Sequence, residues 1–123
     1  MGSITWFWPS AEQLAPARRS PARPGLAASN GAPEATIPAL AAELKPIRVD
    51  AVSPGVTHTP WWHGLPDAER AALFAQSASA TSVERIGSAD DVARAIVSLI
   101  DNDFITGTIV TVTAGSRSAP PPE

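Results

Sequence analysis

Three stretches of the chain carry the apolar pattern of β-strands. Residues 3–8 are apolar on both faces and stop at Pro9, which is typical of a strand covered on both sides. Residues 47–52 alternate apolar and polar positions before a Pro-Gly pair, and residues 108–113 are a β-branched run that follows Gly107. The pattern therefore predicts three strands.

Segments whose apolar residues have helical spacing lie between these strands. Residues 30–44 place their apolar side chains on one side; Pro33 suits a first helical turn, whereas Pro38 predicts a kink or a late start. Residues 67–76 form a shorter amphipathic segment. A third segment begins after Ser88, a good N-cap that is followed by aspartates in the first turn. We therefore expect three helices.

Strands that alternate with helices predict an α/β fold, with a parallel sheet of about three strands and flanking helices. Residues 1–115 form one domain in this interpretation. Residues 9–25 are rich in proline and arginine and are expected to be a long loop. Residues 116–123 are expected to be a disordered, proline-rich tail.

Composition narrows the class of protein. The 123 residues carry a formal net charge of −3, contain no cysteine and are 44% apolar, so we expect no nucleic-acid partner and no disulfides. No apolar run approaches the ~20 residues that span a bilayer, and the start lacks a secretion signal, so we expect a cytoplasmic protein with no membrane partner. His58 and His63 lack the spacing of a metal site, and we expect no metal.

Four segments, in order, resemble one family. They are ALAAELKPIRVDAVSPGV, PGVTHTP, RIGSADDVARAIVSLI and FITGTIVTVTAG. From about Gly2 to Gly115 the chain resembles the C-terminal half of a short-chain dehydrogenase/reductase, although Thr113 and Ala114 depart from the family's usual Asp-Gly. The resemblance implies a partial Rossmann-like fold and an oxidoreductase that uses NAD or NADP.

The resemblance also implies that the chain starts at about the family's fifth strand. The family's glycine-rich turn, where the N-terminus of a helix meets the cofactor pyrophosphate, precedes that point. The 123 residues contain no Gly-x-Gly-x-x-Gly. We therefore expect a truncated cofactor site.

The family's catalytic tyrosine and lysine are expected to be replaced in this chain. The family's Tyr-x-Ala-Ser-Lys-Ala segment aligns with LAASNGA, which places Leu26 at the tyrosine and Asn30 at the lysine. The catalytic serine falls near residues 8–10, where only Ser10 carries a hydroxyl. The chain has no tyrosine, and its one lysine is Lys45. Because leucine has no proton to transfer, we expect no catalytic residues and no hydride transfer.

The segment after the second strand is a candidate cofactor contact. By resemblance, Pro54, Gly55, Val56 and Thr59 line the nicotinamide amide, through the Thr59 hydroxyl and the Val56 backbone. A tight turn alone explains Pro54-Gly55 equally well. Both interpretations stay open on the sequence.

The next segment resembles the family's mobile substrate lid. It contains Trp61, Trp62 and His63. The tryptophans could stack on a ligand, but a pair that covers an apolar surface is the simpler interpretation and the one we favour.

Residues 3–8 would form an open apolar edge of the sheet, and such an edge invites pairing with another chain. The family's oligomer contacts also use the helix at residues 34–44 and the last strand. We therefore expect a homo-oligomer or a complex with a related chain. Two hypotheses follow: a truncated, degenerate oxidoreductase with little hydride transfer, or a non-catalytic interaction and dimerisation module.

Overall fold

The computed structural model describes residues 2–7 and 23–115. None of the helices within these ranges is long and apolar enough to cross a membrane. Along the chain the elements are β1 (Ser3–Phe7), α1 (Arg23–Glu43), β2 (Arg48–Pro54), β3 (Thr57–His58), a 3-10 helix (Pro60–Gly64), α2 (Asp67–Ser79), β4 (Gly87–Ser88), α3 (Ala89–Asp101) and β5 (Ile109–Val112).

A three-stranded parallel sheet has β2 at its centre, in the order β1-β2-β5. In the register, Trp6 of β1 lies opposite Ala51, and Val110 of β5 lies opposite Val52. All seven residues of β2 are buried. The predicted α/β fold with a small parallel sheet is confirmed.

Helices α1 and α3 cover opposite faces of β2, because alternate residues of a strand point to opposite faces. Val49 and Ala51 pack against α1, while Val52 packs against α3. The buried residues that the helices contribute are Ile37, Ala41, Val92 and Leu99. The carboxyl end of β2 therefore emerges from a layer that is covered on both sides.

Helix α1 begins earlier than the sequence predicted. It starts at Arg23 rather than at Asn30, so its first three residues belong to a helix and not to the expected loop over residues 9–25. Pro33 consequently lies inside the helix, and Pro38 does not delay its start. Each proline removes one backbone donor from the helix. Packing of the apolar side of α1 on β2 offsets that loss, since tertiary packing supplies most helical stability in proteins.

Two short features were not predicted. Strands β3 and β4 form a separate two-stranded parallel pair, and the 3-10 helix lies between β3 and α2. Elements of two residues carry no readable period in a sequence. Helix α2 also continues to Ser79, three residues beyond its predicted end.

Several expectations concern residues outside the described ranges. They are the strand residue Trp8, the loop over residues 9–22, the candidate serine Ser10 and the tail at residues 116–123. These expectations stay predictions.

Strand β1 lies at one end of the sheet. The C=O of Gly2 accepts the N–H of Arg48, so the backbone groups of Gly2 and of every second residue after it point towards β2. The N–H and C=O groups of Ser3, Thr5 and Phe7 therefore point away from β2. No strand of the described residues pairs with that side.

Candidate functional site

The turn after β2 lies at the carboxyl end of the sheet, which is where open parallel sheets bind ligands. The N–H of Gly55 donates to the C=O of Val112 at 2.9 Å. A Cβ atom on Gly55 would lie 3.0 Å from the Cα of Thr113. Close packing against the end of β5 therefore accounts for a glycine at this position, whether or not it also contacts a cofactor.

Hydrogen bonds from neighbouring elements hold this turn. The buried Thr57 hydroxyl donates to the C=O of Gly55 at 2.8 Å. The N–H of Gly87 donates to the C=O of Val56 at 2.8 Å, and the indole N–H of Trp62 donates to the C=O of Thr57 at 2.8 Å. Sequence reasoning missed Thr57, and it did not assign this role to Gly87 because Gly87 lies 31 positions after Val56, its hydrogen-bond partner. The only sequence signal for this hydrogen bond was Gly87 itself, the glycine of the Arg-x-Gly motif.

Two polar groups of the turn find no hydrogen-bond partner within residues 2–7 and 23–115. They are the backbone N–H of Val56 and the hydroxyl of Thr59, which precedes the 3-10 helix without capping it. Both residues are partly buried. One N–H donor and one hydroxyl suit the oxygen and the nitrogen of a carboxamide. These groups fit the nicotinamide end of a dinucleotide, and their contact with a cofactor stays a prediction.

The adjacent tryptophans have different environments. Trp62 is 7% exposed, and its ring meets Phe74 edge-on with 6.0 Å between the ring centroids. Trp61 is 70% exposed, and His63 is also exposed. The packing role that we favoured for the pair therefore applies to Trp62 and not to Trp61. A ligand contact by Trp61 or His63 stays a prediction.

Helix α1 carries both positions that match the family's catalytic pair. Leu26 and Asn30 are four residues apart within the helix, which places them on one side of it, one turn apart. Lys45 lies beyond the end of α1 and is exposed. Within the described ranges, no group of three or more His, Asp or Glu residues could hold a metal ion.

Asp91 links the start of α3 to two arginines. Its carboxylate accepts the N–H of Ser88 at 2.9 Å, and the Ser88 hydroxyl accepts the N–H of Asp91, which forms a capping box. Arg85 and Arg94 each donate to the same carboxylate at 2.7 Å. The hydrogen bond from Arg85, followed by those from Ser88, holds the pKa of Asp91 well below its usual range. The predicted N-cap at Ser88 is confirmed.

Replacing Asp91 by asparagine is expected to make the free energy of unfolding fall less as the pH is lowered. The folded-state pKa of Asp91 lies below its unfolded value, so the unfolded chain takes up this proton first as the pH falls. The stabilising contribution is complete above about pH 4 and is lost below it. Urea titrations across the pH range should show the largest difference from wild type near neutrality and the smallest in acid. A difference that does not change with pH would contradict this assignment.

Comparison with known proteins identifies the family. A family model described as Enoyl-(Acyl carrier protein) reductase matches residues 14–117. The chain is 40% identical to short-chain dehydrogenase/reductase ATR9 of Stachybotrys chlorohalonatus, over 74% of this chain and 36% of that protein. It is 34% identical to the short-chain dehydrogenase/reductase homolog YusR of Bacillus subtilis, over 72% of this chain and 66% of that protein. The chain belongs to the short-chain dehydrogenase/reductase family.

Solved structures of short-chain dehydrogenases share the fold. A small-chain dehydrogenase in complex with NADPH is 37% identical, with a TM-score of 0.81 over 94% of this chain and 51% of that one. The MalC reductase/Diels-Alderase from Malbranchea aurantiaca is 28% identical, with a TM-score of 0.78 over 93% of this chain and 42% of that one. The chain thus spans about half of the length of these solved relatives.

Proposed function

We propose that this chain is an oxidoreductase-related member of the family that does not transfer hydride by itself. The pair Leu26 and Asn30 on α1 carries the proposal. Their spacing within one helix is the spacing of the family's tyrosine and lysine in the aligned segment. An alkyl group and a carboxamide cannot exchange a proton with a substrate hydroxyl near neutral pH. The chain contains no tyrosine that could replace the missing acid.

A partial contact with NAD or NADP is the second element of the proposal. In the family this cofactor supplies the hydride. The N–H of Val56 and the hydroxyl of Thr59 would hold the nicotinamide carboxamide, and Gly55 would let the chain approach it closely. NADPH in one solved relative supports NAD(P) as the class of cofactor. The 123 residues offer no Gly-x-Gly-x-x-Gly turn for the pyrophosphate, so this contact would cover one end of the cofactor only.

The catalytic part of the proposal predicts no turnover by the 123-residue chain. Oxidation of NADPH or NADH should not exceed the protein-free blank with a panel of carbonyl and enoyl thioester substrates. The Leu26→Tyr, Asn30→Lys variant should also be inactive, because it restores the proton donor without a pyrophosphate site. A complete enzyme of the family provides the positive control. Turnover by the unmodified chain would contradict the proposal.

An interaction module is the second candidate function, and the end position of β1 favours it. The backbone groups of Ser3, Thr5 and Phe7 point away from β2. Residues 3–7 include neither a charge nor a proline that would discourage strand pairing. The partner in this proposal is a second copy of the chain or a related chain.

A further inference from the structure

Strand β1 leaves one side of its backbone without a partner strand within residues 2–7 and 23–115. The N–H and C=O groups of Ser3, Thr5 and Phe7 point to this free side, because β1 is an end strand and Gly2 faces β2. Residues 3–7 contain neither charge nor proline, the two features with which edge strands commonly prevent pairing. The free side of β1 is therefore a template for another strand.

The other end of the sheet offers a shorter template. The C=O of Val112 accepts the N–H of Gly55, so Val112 and, two positions before it, Val110 face β2. Within β5 the residues that point away from β2 are Ile109 and Thr111. Three residues thus point outwards on β1 and two on β5. A strand added to β1 can form more backbone hydrogen bonds than a strand added to β5.

We propose that β1 pairs antiparallel with β1 of a second copy of the chain, about a two-fold axis at Thr5. This proposal rests on the interaction-module candidate and does not depend on catalysis. A partner that adds a strand must itself have an unpaired edge, and a second copy brings an edge of the same length. In this register Ser3 lies opposite the partner's Phe7, and Thr5 lies opposite the partner's Thr5. Each copy donates three N–H groups, so the two edges form six hydrogen bonds and all outward groups of both strands are paired.

The helices leave room for this approach. Helix α1 packs on Val49 and Ala51 of β2 and on Ile109 of β5. Helix α3 packs on Val52 of β2 and on Val110 of β5. These contacts centre both helices over β2 and β5, beyond the strand that forms the edge. Two copies can therefore join edge to edge into one continuous sheet, in the order β5-β2-β1-β1-β2-β5.

The shared edge is short, and we therefore expect a weak dimer. Interfaces below roughly 1,200 Å² of total buried area are typical of weak and transient complexes. The dimer population should rise with protein concentration. Sedimentation velocity over a concentration series should show the weight-average mass rising from one chain towards two.

A proline placed on each free edge tests which edge pairs. Thr5→Pro removes the N–H at the axis from both copies, while the hydrogen bonds between β1 and β2 stay intact because that N–H points away from β2. It should weaken self-association by about tenfold or more, which corresponds to about 1.4 kcal/mol. Thr111→Pro is the matched control, because it removes an outward N–H from β5, and it should associate as the parent does. Far-UV circular dichroism should confirm that both variants are folded.

Single cysteines test the register, since the 123 residues contain no cysteine. Residues that exchange both hydrogen bonds across an antiparallel pair have Cα atoms about 5.5 Å apart, a separation that a disulfide spans. Thr5→Cys should therefore form a covalent dimer under mild oxidation. Ser3→Cys should cross-link much more slowly, because Ser3 and the partner's Ser3 lie roughly 14 Å apart along the strands. Non-reducing gel electrophoresis over time measures both rates.

The results separate the β1 pairing from the candidate function on which it rests. A parent that stays monomeric at every concentration overturns the pairing and leaves a related chain as the partner of the interaction module. A parent that dimerises, with Thr5→Pro unchanged or weakened no more than Thr111→Pro, overturns the pairing through β1 but not self-association. Equal cross-linking of Ser3→Cys and Thr5→Cys overturns the antiparallel register.

Discussion

Replacing Arg48 by methionine is expected to lower the free energy of unfolding by about 3–5 kcal/mol. Arg48 opens β2 and is 8% exposed. Its guanidinium donates to the C=O groups of Leu99 at 2.8 Å, Ile100 at 2.9 Å and Ile105 at 3.1 Å, and lies 3.6 Å from the buried Asp50 carboxylate. Methionine offers none of these donors. The carbonyls at the end of α3 and the charge of Asp50 would remain buried without Arg48.

Arg48 also places a positive charge at the carboxyl end of α3, where the helix dipole is negative. The side chain therefore connects the central strand to the end of the helix that covers it.

Urea unfolding, monitored by circular dichroism, measures the loss in the free energy of unfolding of Arg48→Met. Arg70→Met is the control, because its ion pair with the exposed Asp67 should contribute less than about 1 kcal/mol. If Arg48→Met does not fold, Arg48→Lys, which keeps the charge but not the planar fork, should show an intermediate loss. A change below 1 kcal/mol for Arg48→Met would contradict the assignment.

Trp62→Ala is expected to destabilise the chain by about 3–5 kcal/mol. The substitution removes a buried ring, its edge-on contact with Phe74 and the hydrogen bond to the C=O of Thr57. It would also leave the Thr57 carbonyl without the indole donor inside a buried segment. We expect the turn after β2 to loosen together with the 3-10 helix.

The neighbouring tryptophan supplies the control for this prediction. Trp61→Ala removes a side chain of the same size that is 70% exposed, so its effect on the free energy of unfolding should stay within about 0.5 kcal/mol. Thermal and urea unfolding of the two variants, compared side by side, measure the difference. Equal losses of unfolding free energy in Trp61→Ala and Trp62→Ala would show that burial does not determine how much Trp62 stabilises the fold.

The sequence predicted the sheet because its strands are alternating or β-branched apolar runs that are bounded by a proline or a glycine. Residues 47–52 alternate before Pro54, and the β-branched run at residues 108–113 follows a glycine, so both strands were found within two residues of their ends. Ser88 predicted the start of α3 because a hydroxyl at the N-cap satisfies a specific backbone donor. These signals are local, and local signals can be read from one sequence.

The features that the sequence did not predict depend on contacts between distant residues. Arg48 looks like an ordinary polar strand residue, yet its hydrogen-bond acceptors lie more than 50 positions away. Prolines argued for a loop up to Gly25, but the helix begins at Arg23. Trp61 and Trp62 are identical in sequence terms, and only the fold distinguishes the buried ring from the exposed one.

Calorimetric titration of the 123-residue chain with NADPH and with NADH tests the central claim most directly. The proposal is that the 123 residues contact one end of the cofactor and do not contain a complete site for it. We expect no saturable binding in the micromolar range, and a Kd weaker than about 1 mM, which corresponds to less than about 4 kcal/mol of binding free energy. Saturable micromolar binding of either cofactor would contradict the account.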